Sequence, residues 1–324
     1  MPACMFSLQK GETLTPVTTL SSKKAKKTIA LFGEVLADIF PDQSVLGGAP
    51  FNVARHLQAF DLHPVMISRT GNDALRDDLL REMDKLGMDK SGIQCDPTYP
   101  TGQVQVHMKD GGHSFEILPN QAYDHIHAGI THMMTMSIKP ELVYFGTLAQ
   151  RGMESRLALD KFLADSKCLR FLDINLRSPW YNKHTVRRSL LRSDIVKMNE
   201  DELEIVANYF KIDAKAPLLK AEKLLDQFEL QCLLVTTGEN GAWLINKDHE
   251  FFSSGPAGEP ITVVDTVGAG DAFAAICIIG VLYHWESSLI MQRANQFAAA
   301  LCGIRGGAPQ NHDFYLPFKK AWHL

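Results

Sequence analysis

Short apolar runs separated by stretches of helical periodicity constrain this chain more than any other feature. "TIALFGEV", "PVMISRTG", "LVYFGTL", "LRFLDINL", "IVKMNE" and "LLVTTGENGAWLIN" read as strands, several of them continuously apolar. Such a strand must be covered on both faces, as in a parallel sheet between two helical layers. Between the runs, "APFNVARHLQAF", "NDALRDDLLREMDKLG", "ESRLALDKFLAD", "EDELEIVANYF" and "APLLKAEKLLDQF" space their apolar residues as one face of a helix. Two more helices, dense in Ala and Ile, are expected at about 270–284 and 288–303. The alternation predicts an open α/β sheet with helices on its faces.

The segment "TGQVQVHMKDGGHSFEILPN", 101–120, breaks that rhythm. It alternates apolar and polar residues with period two around the turn "KDGG", the pattern of a hairpin with one covered face. A small β lid over a cleft and an edge hairpin on the main sheet both fit it.

Charge narrows the partners. With 33 Lys and Arg against 37 Asp and Glu, the formal net charge is −4, so no basic excess marks a surface for duplex nucleic acid. No apolar run reaches the length of a membrane span. The first 27 residues are rich in Ser, Thr and Lys and lack the apolar core and cleavage site of a secretory signal. They read as a flexible polar segment, with "KKAKK" at 23–27 solvating it, ahead of one domain over 28–324. The six cysteines include no C-x-x-C pair, and Cys168, Cys232, Cys277 and Cys302 sit in apolar surroundings, as in a reduced, cytoplasmic protein.

Chemistry concentrates in "VDTVGAGDAFAAI", 263–275. Gly268-Ala269-Gly270-Asp271 opens an apolar helix, where unpaired N–H groups and the helix dipole favour an anion. Asp271 alone would pass for a favourable N-terminal charge, worth roughly 0.5–2 kcal/mol as a cap. That reading explains neither the two glycines nor the preceding acid, Asp265. A carboxylate beside a phosphate cradle is placed to take a proton from an attacking hydroxyl. The stretch is not a Walker A loop, and no G-x-G-x-x-G opens the first strand–helix unit.

"DTVGAGDAF" resembles, residue for residue, the D-T-x-G-A-G-D signature of the ribokinase-like (PfkB) carbohydrate kinases. "LGGAPFNVARHL", 46–57, is similar to their N-terminal Gly-Gly motif, and "FGEVLADIF" resembles their first strand with its acidic end. The likeness runs in family order from about Thr28 to Pro309. It implies a three-layer α/β/α domain with a mainly parallel central sheet and a small β-sheet lid. The lid strands are expected around 36–46 and 93–120.

For the site, the resemblance implies sugar hydroxyls on Asp38 and Asn52 beside Gly47 and Gly48. "FLDINLRSPWY" resembles a segment of fructokinases, placing Asp173, Asn175 and Arg177 at a strand end. Arg177 is a candidate phosphate contact, the alternative being a surface ion pair of about 0–1 kcal/mol. "KMNEDEL" matches an N-x-x-E motif that implies magnesium-bound water near Asn199 and Glu202; taken alone it reads as a helix cap followed by acids. "VTTGENGAW" implies nucleotide contacts at Thr237, Gly238 and Gly241, and "QFAAALCGIRGGAP" an adenine wall with Asn295. As in many relatives, a monovalent cation such as K⁺ would sit under the cradle, held largely by backbone oxygens of the Asp265 loop and the final loop.

Within the family, "GGAPFNVA", "FGTLAQR" and "DINLRSPWY" look like bacterial fructokinases. The second lid strand carries Phe115 and Glu116 and no cation, which favours a neutral sugar over a sugar acid. Gln103 and Gln105 on the first lid strand and Phe115 on the second are candidate sugar contacts. The expected reaction moves the γ-phosphate of ATP, with Mg²⁺ bridging the phosphates, to a primary hydroxyl, most directly turning D-fructose into fructose 6-phosphate. Asp271 acts as base, and the N–H groups of Val267 to Gly270, Ala269 included, stabilise the developing charge. A 2-keto-3-deoxygluconate kinase, another sugar kinase of the family and a non-catalytic sugar sensor are the alternatives. His125, His127 and His132 are spaced by two and five, unlike a ligand pair, and read as surface and loop histidines; Met133, Met134 and Met136 read as core filler. Free lid edges suggest a homodimer through the lid.

Overall fold

The structure, a computed structural model, describes residues 26–109, 112–256 and 262–324. The first 25 residues, and with them most of the expected polar segment, lie outside the described residues, as does the centre of the "KDGG" turn.

From the N-terminus, β1 (Thr28–Phe32) leads into β2 (Leu36–Ile39), β3 (Ser44–Gly47), α1 (Ala49–Ala59), β4 (His63–Gly71) and α2 (Ala74–Lys85). Next come β5 (Ile93–Asp96), β6 (Gly102–Lys109), β7 (Gly112–Ile117), α3 (Ala128–Ile138), β8 (Leu142–Phe145) and α4 (Met153–Asp165). The chain continues through β9 (Leu169–Asp173), α5 (Lys183–Leu190), β10 (Ile195–Asn199), α6 (Glu200–Phe210), α7 (Pro217–Gln227) and β11 (Cys232–Thr236). It closes with β12 (Ala242–Asn246), β13 (Phe251–Ser253), α8 (Ala269–Leu282), α9 (Ser287–Cys302) and α10 (Leu316–Trp322).

Nine strands form one sheet in the order β13-β12-β11-β10-β9-β8-β1-β4-β5. Pairing is parallel from β5 through β11, and β12 and β13 add on antiparallel. Period-two alternation sends successive side chains of each strand into different cores. Ile29, Leu31, Leu142 and Tyr144 join α1, α8 and α9 on one face. Ala30, Phe32, Val143 and Phe145 join α4, α6 and α7 on the other. This double coverage is why β8 and most of β1 are apolar without interruption. Helix α8 is apolar on every side because it is enclosed, with Ala272 through Gly280 all buried.

The smaller sheet, β3-β2-β6-β7, settles the alternatives for the 101–120 hairpin: it stands apart from the main sheet. Residues 93–96, placed with the lid by sequence, instead pair with β4 at the main sheet's edge. Two further differences are local. "LLVTTGENGAWLIN" is not one strand but β11 and β12 folded antiparallel, the reversal carried by Gly238 (φ 60) and Gly241 (φ 94). Met133 and Met136 are 67% and 71% exposed on α3, and only Met134 packs against the core.

Candidate active site

Gly268 begins α8 with φ 79, and a Cβ there would lie 2.5 Å from the Gly307 Cα. Only glycine permits both the left-handed backbone and that approach. The final loop is tied to this turn from several sides. Val264 and Asp265 donate their N–H groups to the Cys302 carbonyl, and Asp265 accepts from Val267 N through Oδ1 and from Gly306 N through Oδ2. Both carboxylate oxygens of Asp265 thus brace backbone. Of the four N–H groups expected to face an anion, Val267 is engaged by Asp265 and Ala269 by the Thr266 carbonyl. Those of Gly268 and Gly270 have no partner among the described residues, so the cradle rests on the two glycines.

Asp271 follows in the first turn of α8. Its Oδ2 accepts from Asn52 Nδ2 at 2.9 Å, joining α8 to α1. Burial pushes the Asp271 carboxyl up to about 6 against the Asn52 hydrogen bond, and the neighbouring Asp173 pushes the same way. Beneath the cradle lies a residue that the sequence reading did not single out. Lys197 of β10 is buried, and its Nζ is 3.2 Å from where a Gly270 Cβ would be. It donates to Asp173 Oδ1 and Oδ2 at 2.9 and 3.0 Å, so Asp173 points into this pair and not toward a ligand. Burial opposes the Lys197 charge, but Asp173 and Glu202 hold the ammonium above its usual range. A buried ion pair therefore underlies the anion cradle, with the ammonium placed against Gly270. A lysine inside an apolar strand such as "IVKMN" was the available sequence signal.

On the other side of Asp271, α1 starts at Gly48 (φ 104), where a Cβ would come within 2.8 Å of the Glu34 carbonyl. Asp38 lies in register with Val45 and Val104, while Gln103 and Gln105 are in register with Ala37 and Ile39. Side chains of partnered residues share a face, so Asp38 looks out on one side of the lid and both glutamines on the other. The expected joint contact of Asp38, Gln103 and Gln105 with one sugar is not what this register presents. Phe115, in register with Val106, shares the Asp38 face but is 56% exposed. Burial raises the Asp38 carboxyl to about 6. Glu34 itself is 4% exposed, and its Oε2 has no hydrogen-bond partner among the described residues.

The remaining residues lie at or after the C-terminal ends of β9, β10 and β11 or, for Asn295, on α9. Asn199 and Glu202 make a reciprocal capping box on α6, and Glu202 also accepts from Leu176 N at 2.7 Å. Both Glu202 oxygens are thus committed to backbone, which fits an ion held through water better than direct ligation. Arg177 is exposed, and its charge reaches both Glu34 and Asp271. Thr237 closes the β11–β12 turn through N and Oγ1 to the Gly241 carbonyl. A Cβ at Gly241 would strike the Gly255 carbonyl, which also accepts from Asn295 Nδ2 at 2.9 Å. Asn295 therefore fastens α9 to the exit of β13.

The histidines are dispersed. His125 stacks on Tyr99, His127 caps α3, and His132 pairs with Asp165. Among the described residues no cluster of His, Cys, Asp or Glu could hold a metal ion directly.

Comparison with known proteins matches residues 19–313 to a family described as pfkB family carbohydrate kinase. A putative sugar kinase of Pyrococcus horikoshii is 29% identical over 286 residues, covering 85% of this chain and 86% of that protein. Its crystal structure in complex with ATP superposes with a TM-score of 0.76 at 26% identity, covering 91% of this chain and 99% of that one. Probable fructokinase-2 of Arabidopsis thaliana is 27% identical over 276 residues, 79% of this chain and 82% of its own. The fructokinase of Xylella fastidiosa, solved with bound ATP, shares the fold with a TM-score of 0.78 at 21% identity, covering 93% and 100% of the two chains.

Proposed function

The chain belongs to the pfkB family of carbohydrate kinases, which makes it a sugar phosphotransferase, and from that premise we propose that it moves the γ-phosphate of ATP to a primary hydroxyl of a neutral sugar, D-fructose first. One observation carries the reading. Asp271 is half-buried and steered by Asn52 at the mouth of a cradle with two N–H groups free among the described residues. A carboxylate so placed takes the proton of the attacking hydroxyl as Gly268 and Gly270 receive the developing negative charge. Lys197, paired with Asp173, lies under that cradle with its ammonium against Gly270. Asp38 and Asn52 hold the sugar, and the lid excludes water that would otherwise accept the phosphoryl group.

ATP fits the far side, where Thr237, Gly238, Gly241 and Asn295 border the nucleotide and Arg177 approaches its phosphates. Mg²⁺, when bound, neutralises phosphate charge; Asn199 and Glu202 would order the water around it. A monovalent cation fits beside Asp265 only through backbone oxygens, since that carboxylate is engaged. The five cysteines among the described residues are free, which suits the cytoplasm. Among the described residues no helix is long and apolar enough to cross a membrane. Val45 and Phe115, 37% and 56% exposed on the lid, favour a homodimer through that sheet. Light scattering of wild type and Phe115→Lys tests it: a monomeric wild type would sink the idea.

The function is tested by ADP release from Mg-ATP with fructose, glucose, mannose, ribose, 2-keto-3-deoxygluconate and adenosine, with Asp271→Asn alongside. Turnover on fructose, lost in the variant, is the expected result. Preference for the sugar acid would favour a 2-keto-3-deoxygluconate kinase. Sugar binding without ADP formation would favour a sensor.

A further inference from the structure

Three buried polar side chains beneath the lid are left incomplete by the protein itself. Glu34, Tyr123 and Arg151 are 4%, 0% and, for the arginine side chain, 7% exposed. Glu34 Oε2, Tyr123 OH and Arg151 Nη1 have no hydrogen-bond partner among the described residues. Buried polar atoms are normally satisfied, so three orphans in one place ask for a guest. The Arg151 guanidinium lies 5.1 Å from the Tyr123 ring centre, a Cβ at Gly102 would meet both Tyr123 and the Val35 carbonyl next to Glu34, and the Glu34 and Arg151 charges both act on Tyr123.

The cluster belongs to the sugar side of the cleft. A Cβ at Gly102, the first residue of β6, would point at Tyr123 Cε1 from 2.8 Å. Gly102 lies two residues before Val104, the register partner of Asp38, so Tyr123 sits under the Asp38 face of the lid. Glu34 is within electrostatic reach of Asp271. Arg151 is fixed in place: it donates to Asp124 through Nε and Nη2 at 2.7 and 2.9 Å, to the Leu118 carbonyl at 2.7 Å, and lies 4.3 Å from the Trp180 ring centre.

We propose that Glu34, Tyr123 and Arg151 receive the hydroxyl-bearing end of an uncharged acceptor, remote from the hydroxyl that is phosphorylated. The inference rests on the sugar-kinase reading above and adds what the acceptor's other end must be. The bidentate bond to Asp124 balances the Arg151 charge, leaving Nη1 as a donor. Glu34 offers an acceptor, and Tyr123 can do either. Hydroxyl groups, which donate and accept, complement that set. A carboxylate would satisfy Arg151 but set a second negative charge beside Glu34, whose own ionised form burial already opposes.

The alternative guest is a buried water. The test takes the acceptor that wild type turns over fastest and measures its KM, the KM for ATP and the melting temperature in wild type, Tyr123→Phe and Glu34→Gln. The expected result is an acceptor KM raised tenfold or more in both variants, with the KM for ATP within twofold. An acceptor analogue lacking one remote hydroxyl should weaken wild type as much as Tyr123→Phe does, and weaken that variant little further. If both variants keep the wild-type acceptor KM and change only in melting temperature, the cluster holds water and the proposal is overturned. Preferred turnover of a sugar acid overturns it as well, leaving phosphoryl transfer intact. Failure of wild type on every acceptor is a different outcome: it removes the proposed function and this inference with it. Should Glu34→Gln fail to fold, Tyr123→Phe, which removes one oxygen, decides alone.

Discussion

Burial pushes the Asp271 carboxyl from 3.8 up to about 6, so its ionisation opposes folding by an amount on the order of 3 kcal/mol. The folded protein holds this proton more tightly than the unfolded chain does. Stability from this group is therefore greatest below about pH 4 and is lost as pH rises to about 6. Asparagine removes the titration and can still accept from Asn52 Nδ2 through its amide oxygen. Asp271→Asn should then lower turnover about 10²–10⁴-fold while unfolding at equal or higher urea concentration at pH 8. That advantage should shrink toward pH 4, and paired denaturation curves at the two pH values check it. The active base is the ionised form, so kcat/KM in wild type should rise with pH through about 6. Glu34, raised to about 7 by burial, interacts with Asp271, and the limb belongs to the pair. A pH-independent kcat/KM from 5 to 8 would exclude Asp271 as the base. Lys197 makes the converse case: Lys197→Met leaves the buried Asp173 carboxylate without its counter-charge, with the Tyr144 hydroxyl still donating to it, a loss of about 3–5 kcal/mol readable in urea.

At the scale of elements, the start of α8 works as one piece with the final loop. Gly268→Ala combines strain at φ 79 with a clash on Gly307, at a cost of roughly 1–3 kcal/mol. Because the turn carries the free N–H groups, turnover should fall far more than stability. Initial rates beside a melting curve separate the two, and a variant with wild-type kcat would count against the cradle. This turn was legible in the sequence because glycine spacing before an apolar helix has few other uses. The same holds for the parallel strands, whose uninterrupted apolar runs announce cover on both faces. Helix α3 was not legible: "ITHMMTM" has the composition of a core segment, yet Met133 and Met136 face outward. Periodicity failed because apolar residues occupy both of its faces. The side of the lid that Gln103 and Gln105 occupy depends on pairing register with β2, which a single strand's alternation does not encode.

Across the whole molecule, the two sheets meet along a seam of close contacts around Glu34 and Val35. A Cβ at Gly48 would press on the Glu34 carbonyl, one at Gly102 on the Val35 carbonyl from 2.6 Å, and one at Gly33 on Pro50 Cγ from 2.8 Å. Glu34, Tyr123 and Arg151 converge below this seam from three distant parts of the chain, with no shared motif to announce them. That is why sequence supplied Asp38 and Asn52 but not these. The seam also predicts how the halves depend on each other. Gly48→Ala requires φ 104 of a residue with a Cβ and displaces the Glu34 carbonyl, so it should destabilise the fold by about 1–3 kcal/mol. Its functional effect should be one-sided. Glu34 moves with the lid junction, whereas the Thr237 and Asn295 end is built on β11, β12 and α9, away from it. The acceptor KM should rise severalfold while the KM for ATP stays near wild type. Equal increases in both would mean that lid and nucleotide side are coupled through the main sheet, and the seam would then transmit strain instead of confining it.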